Sequence, residues 1–284
     1  MLPRSFLYVP ANRPELFAKA AAGPADAVVL DLEDAVPMAA KADARLEVRR
    51  WLEVAGAEAA EGRAHTWVRV NADSLREDLD AVVRPGLSGL FLATCTPAVL
   101  EEAAAALAGL EPDRGLPPGG VRTVGLVESA AGLLELARMA AHARLDAFGI
   151  GEVDLLGDLR IVRGPRSEAA VVALRTQVVV HSAAAGLEAP VAPTSTDFRD
   201  LEAFAESTRT MLELGFRSRT AIHPAQVPVI HEVLTPTPDQ VAAAQDVVRR
   251  FEAAGGGVTT DASGRLIDAA VVRGARETLA RHPG

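Results

Sequence analysis

Short apolar runs, separated by longer stretches with helical spacing, recur along the chain from Phe6 to His223. They are Phe6–Val9, Ala27–Leu32, Trp67–Val70, Gly89–Ala93, Thr123–Val127, Ala147–Ile150, Ala189–Pro193 and Thr220–His223. Runs of this length, rich in Val, Ile and Leu, mark strands buried on both faces, as in a parallel sheet covered by helices. Strands that alternate with helices read as βα units. Eight such units in 284 residues predict a single (β/α)8 TIM barrel, a fold of about 250 residues. The seventh run is the weakest, because Pro190 and Pro193 bracket it and proline is poorly tolerated inside a central strand.

Helices are expected over Glu15–Ala22, with Pro14 in the first turn, and over Lys41–Leu52, Pro97–Leu110, Ala130–Ala143, Ser167–Ala185 and Asp200–Leu214. Beyond the eighth strand the pattern changes. Pro238–Ala254 reads as a helix ending at Gly255-Gly256-Gly257, Val258–Asp268 as a hairpin, and Ala270–Arg281 as a last helix. The expected organisation is a barrel over 1–235 and a C-terminal helix–hairpin–helix extension over 236–284, serving either as plain terminal structure or as a lid or intersubunit arm.

A net charge of −9 argues against a general nucleic-acid binder. The single cysteine, Cys95, excludes an internal disulfide and a metal site built on thiolates. No apolar run approaches the ~20 residues of a membrane helix. Met1–Pro10 lacks the apolar stretch of a signal peptide. The expected compartment is the cytoplasm, with no membrane partner.

Charges fall where the apolar runs end. The second run delivers Asp31, Glu33 and Asp34, the third Arg69 and Asn71, the fifth Glu128, and the sixth Asp154. In a parallel barrel that rim is where the chemistry is built. Glu128 and Asp154 end adjacent strands, about 4.8 Å apart, so they either converge on a hard cation such as Mg²⁺ or serve as helix caps and arginine partners. Arg69 suits a substrate carboxylate or a developing enolate oxygen, because its planar fork donates two parallel bonds. It also suits an ion pair with Glu33 or Asp34. His223 reads as a structural histidine or an acid–base group. Arg13 and Lys19 are either solvated cations or a phosphate contact.

Taken in order, these motifs resemble the citrate lyase β-subunit-like branch of the HpcH/HpaI aldolase family. The resemblance rests on Arg4-Ser5-Phe6-Leu7-Tyr8-Val9-Pro10, on DLEDAV at 31–36 with Lys41 and Arg45, and on Arg69-Val70-Asn71. It continues through Val127-Glu128-Ser129-Ala130 with Gly132, Phe148-Gly149 followed by Asp154, and Ile222-His223-Pro224 with Gln226. It implies a Mg²⁺-dependent carbon–carbon lyase that cleaves a 3-hydroxyacyl thioester, of coenzyme A or an acyl carrier protein, to an acyl thioester and a 2-keto acid. By position, Glu128 and Asp154 become the metal ligands and Arg69 the substrate and oxyanion contact. Glu33 and Asp34 become candidate bases, Asp268 the acid, and Tyr8, Arg13 and Lys19 the coenzyme A contacts. A homotrimer or hexamer is implied as well. One departure stands out: Leu92 is followed by Ala93-Thr94 where the family commonly carries Pro-Lys. The alternatives are a metal-dependent pyruvate aldolase that needs no coenzyme A, and a citrate lyase β subunit active only beside an acyl carrier protein.

Overall fold

A computed structural model describes residues 1–57 and 64–282. All the expected strands form, and they close in sequence order into an eight-stranded parallel barrel. The strands are β1 (Ser5–Pro10), β2 (Ala27–Asp31), β3 (His65–Val70), β4 (Leu87–Leu92), β5 (Arg122–Val127), β6 (Ala147–Ile150), β7 (Val191–Ala192) and β8 (Ser218–Ala221). β7 keeps two residues, since Pro190 and Pro193 have no N–H to give the ladder.

The intervening helices are α1 (Phe17–Ala21), α2 (Lys41–Ala57), α3 (Leu75–Val82), α4 (Pro97–Asp113), α5 (Ala130–Leu134), α6 (Leu136–Ala140), α7 (Glu152–Asp158), α8 (Glu168–Ala185), α9 (Leu201–Leu214) and α10 (Gln226–Leu234). The helix expected over Ala130–Ala143 is broken at Glu135. Three helices lie outside the expected set: α3, α7 and α10. α3 and α7 are eight and seven residues long, too short to show a sustained apolar stripe.

Side chains inside the barrel and those between strands and helices form separate clusters. Phe6, Trp67 and Phe91 meet edge to face inside, with ring centroids 5.1–5.7 Å apart, and plug the axis. Gly89 makes room for this plug, because a Cβ there meets the Trp67 ring at 2.4 Å. Cys95 is buried and free, and burial pushes its thiol up to about 12.

The chain divides into two compact units, Met1–Ile230 and His231–Gly284. The second holds α11 (Pro238–Ala253), a hairpin of β9 (Thr259–Thr260) and β10 (Leu266–Ile267), and α12 (Ala269–Ala280). A capping box of Thr237 and Gln240 starts α11, and the Asp268 carboxylate starts α12 by accepting from the Ala270 and Val271 amides. Among the described residues no helix is long and apolar enough to cross a membrane.

Candidate active site

Asp31 and Arg69 are register partners at the ends of β2 and β3. The Arg69 Nε and Nη2 donate to the two Asp31 oxygens at 2.7 and 2.6 Å. Its Nη1 lies 2.6 Å from Glu33 and 3.6 Å from Asp34, and its plane covers the Tyr8 ring at 5.0 Å. The fork is thus closed on Asp31, and only the outer edge of the guanidinium faces Glu33 and Asp34. Asp31 also accepts from the Glu33 and Ala35 amides, while Lys41 donates to the Leu32 and Glu33 carbonyls and to Asn71. These bonds fix the DLEDAV turn as a rigid part of the rim. Burial pushes the Tyr8 phenol upward, so it stays an O–H donor.

Glu33 is desolvated behind this pair, and its Oε2 finds no hydrogen bond with proper geometry. Burial raises its carboxyl to about 8, with Arg69 opposing and Glu128, Asp34 and Asp31 adding repulsion. Asp31 already neutralises Arg69, so a second desolvated acid keeps its proton. The folded chain then holds a proton that the unfolded chain releases above about 4.5. Stability from this group is complete at low pH and is lost as pH rises toward 8. Glu33→Gln is therefore expected to gain about 2 kcal/mol on the wild type between roughly pH 5 and pH 9. Urea unfolding in chelator reads this difference; a constant offset across that range removes the assignment.

Glu128, at the end of β5, is 6% exposed. Its Oε2 accepts from the Thr94 amide at 2.6 Å. Thr94 reaches this position with φ 44°, the left-handed region that non-glycine residues rarely occupy. The donor is the main chain of residue 94, so it does not depend on the Ala93-Thr94 departure. Gly151 completes the cradle, because a Cβ on it meets the Glu128 Cγ and Oε1 at 2.3 Å. Gly151→Ala is expected to tilt Glu128 out of place and lower activity about 100-fold, the typical effect of an ångström-scale misplacement. A normal circular-dichroism spectrum with unchanged turnover defeats that role for Gly151.

Asp154, in the first turn of α7, lines the same cavity of about 540 Å³ as Glu128, Tyr8, Asp34 and Arg69. Burial raises the Glu128 carboxyl, and Asp154 is one of the charges that raise it further. Neither acid has an arginine partner among the described residues, where no group of three or more His, Cys, Asp or Glu side chains is arranged as a metal cage. A desolvated carboxylate held by one amide, facing a second carboxylate, fits a hard cation that takes one or two protein oxygens and fills its other positions from water and ligand.

The other expected residues lie elsewhere. Arg13 is exposed and paired with Glu15, and Lys19 is exposed in the last turn of α1; neither lines the cavity. Asp268 belongs to the second unit. His223 stacks on Phe198, with centroids 5.0 Å apart. Sequence reasoning missed the Asp31–Arg69 fork, although two opposite charges at adjacent strand ends are its signal. It also missed Arg175, Arg219 and Thr194 in the cavity wall, which follow no spaced motif.

A model of the HpcH/HpaI aldolase/citrate lyase family matches residues 4–224. The chain belongs to this family. The match spans the whole HpcH/HpaI barrel, from β1 through β8. Citrate lyase subunit beta of Leuconostoc mesenteroides subsp. cremoris is 28% identical over 286 residues, covering 98% of this chain and 92% of that one. The (3S)-malyl-CoA thioesterase of Cereibacter sphaeroides is 31% identical over 287 residues, covering 98% and 94%. The structure of protein CitE from Mycobacterium tuberculosis, in complex with magnesium, acetoacetate and coenzyme A, is similar with a TM-score of 0.74. It shares 28% identity and covers 98% of this chain and 97% of its own. As an HpcH/HpaI member, the chain is a carbon–carbon lyase.

Proposed function

We propose that this chain cleaves a 3-hydroxyacyl thioester of coenzyme A, of the citryl, malyl or citramalyl type, to an acyl thioester and a 2-keto acid, with Mg²⁺ held by Glu128 and Asp154. The observation that carries the reading is the pair itself: two acids in one cavity, without an arginine partner among the described residues, beside the cation of Arg69. The relatives point the same way, since the M. tuberculosis protein is in complex with magnesium and coenzyme A and the C. sphaeroides one is a malyl-CoA thioesterase. When bound, the ion supplies Lewis acidity toward the hydroxyl and carboxylate of the keto-acid half.

The chain's own residues account for the other steps. Asp34, exposed in the cavity wall, is the proposed base that takes the hydroxyl proton; Glu33 is the second candidate and can take that proton only once ionised, as pH rises past about 8. The carbon–carbon bond then breaks toward the thioester, giving an enolate. Arg69 meets that developing charge with its outer edge, pre-aligned by Asp31. Tyr8, with its proton retained, is a neutral donor in the same cavity. Asp268 is the proposed acid that returns a proton to the enolate carbon. Arg13 and Lys19 are proposed to meet the coenzyme's phosphates outside the cavity. Assembly as a homotrimer or hexamer in the cytoplasm completes the reading.

Incubating the isolated chain with malyl-, citramalyl- and citryl-CoA and Mg²⁺ tests the proposal. Turnover of at least one thioester, lost in chelator, is the expected result. Cleavage of a free hydroxy-keto acid without coenzyme A assigns the site to a pyruvate aldolase. Activity seen only with an acyl carrier protein thioester assigns it to a complex-dependent subunit.

A further inference from the structure

The cavity holding Glu128 and Asp154 extends past β7 into the layer between strands and helices. There its wall includes Arg163, Arg175 on α8, Ser207 on α9, and Arg219 on β8. Most of this charge is matched. Glu152 accepts a two-point bond from Arg175 at 2.6 and 2.8 Å and another from Arg163, and Arg175 lies 3.5 Å from Glu168.

Arg219 is the exception. It is 2% exposed. Its Nε donates to the Pro193 carbonyl at 3.1 Å, and its Nη1 to the Phe204 carbonyl and the Ser207 and Thr208 hydroxyls. The Phe204 ring lies under it at 3.9 Å. All of these partners are neutral, and among the described residues none accepts from Nη2. Asp197 and Asp200 also line the cavity, but they are engaged by backbone amides of the Arg199–Ala203 segment. Burial lowers Arg219 to about 9, with Arg175 pushing the same way, so it stays charged at neutral pH. A buried cation without a counter-ion is unfavourable in a medium of low dielectric. Thr194 follows the very carbonyl that Arg219 binds; the residue lines the same cavity, and its Oγ1 is buried without a partner among the described residues.

We propose that this arm of the cavity is a carboxylate-binding subsite in which the Arg219 Nη2 and the Thr194 hydroxyl receive one anionic oxygen group. The proposal rests on the lyase reading for its setting, not for its chemistry. The carboxylate comes either from the far end of the keto-acid half, which only the citryl type of substrate carries, or from a separate small acid, and both sources offer the acceptor that a guanidinium and a hydroxyl lack here.

Ligand-observed NMR of acetate on the full chain in chelator tests the subsite without the metal. Saturable binding is expected. It should weaken about tenfold in Thr194→Val, a change that removes no protein hydrogen bond, and similarly in Arg219→Lys, which keeps the charge but loses the second donor arm. Absent acetate binding, or binding unchanged in both folded variants, overturns the proposal. Calorimetry with Mg²⁺ then separates the sources. Preference for oxaloacetate over pyruvate, narrowed in Thr194→Val, assigns the subsite to the substrate's own tail. Simultaneous binding of acetate and pyruvate assigns it to a separate acid. Pyruvate binding that ignores Mg²⁺ counts against the lyase reading and leaves the acetate result standing.

Discussion

Glu128→Gln is expected to lower turnover by about three orders of magnitude, while the metal-free protein becomes harder to melt. Both effects have one cause. Gln keeps the volume of the side chain and an oxygen to accept the Thr94 amide, so the cradle formed with Gly151 survives. What disappears is a desolvated negative charge, which is costly without a counter-ion. A loss of about 4 kcal/mol in transition-state stabilisation corresponds to the thousandfold drop. The midpoint in chelator should rise by a few degrees, as is common when a residue held for function is removed. The Mg²⁺-induced shift of that midpoint should vanish. Full activity of Glu128→Gln, or wild-type activity that resists chelation, would remove the metal pair from the mechanism.

Arg69→Lys should be nearly as damaging, although it conserves charge. An ammonium cannot hold both Asp31 oxygens in the fork geometry and at the same time face Glu33 and Asp34. The expected loss in kcat is 10²- to 10³-fold, the usual effect of removing one preorganised donor to a developing oxyanion. Stability should fall by about 3 kcal/mol, because Asp31 is left buried with an incomplete partner. Asp31→Asn separates alignment from charge. It leaves Arg69 cationic but unaligned, and is expected to lower kcat with little change in KM. If Arg69→Lys turns over like the wild type, the guanidinium has no part in stabilising the enolate.

The barrel is legible in the sequence because buried parallel strands have a simple signature: short, apolar, and ended by a charge. Glu128 is legible for the same reason, as a strand end on the rim; Asp154, expected to end the adjacent strand, lies beyond it in the first turn of α7 and lines the same cavity. Angles and pairings are not. Nothing in the linear order says that Arg69 turns its fork to Asp31 rather than to Glu33 or Asp34, since all three acids fall within four residues at the end of one strand and only the β2–β3 register selects among them. Arg219 was unreadable for a different reason. A cation next to a strand end ordinarily implies an acid nearby, and its lack of one is a property of three dimensions. α3 and α7 escaped detection because they are eight and seven residues long, too short for an apolar repeat to register over a window of about 11 to 18 residues.

The plug of Phe6, Trp67 and Phe91 makes the barrel a vessel with one mouth. On the proposed reaction, both products share that single exit and leave in turn, the smaller and deeper keto acid last. Steady-state inhibition should register the queue: the keto acid competing with the starting thioester, and the acyl thioester inhibiting noncompetitively. The reverse pattern would mean that the acyl thioester leaves last, and competition by both products would mean that they leave independently.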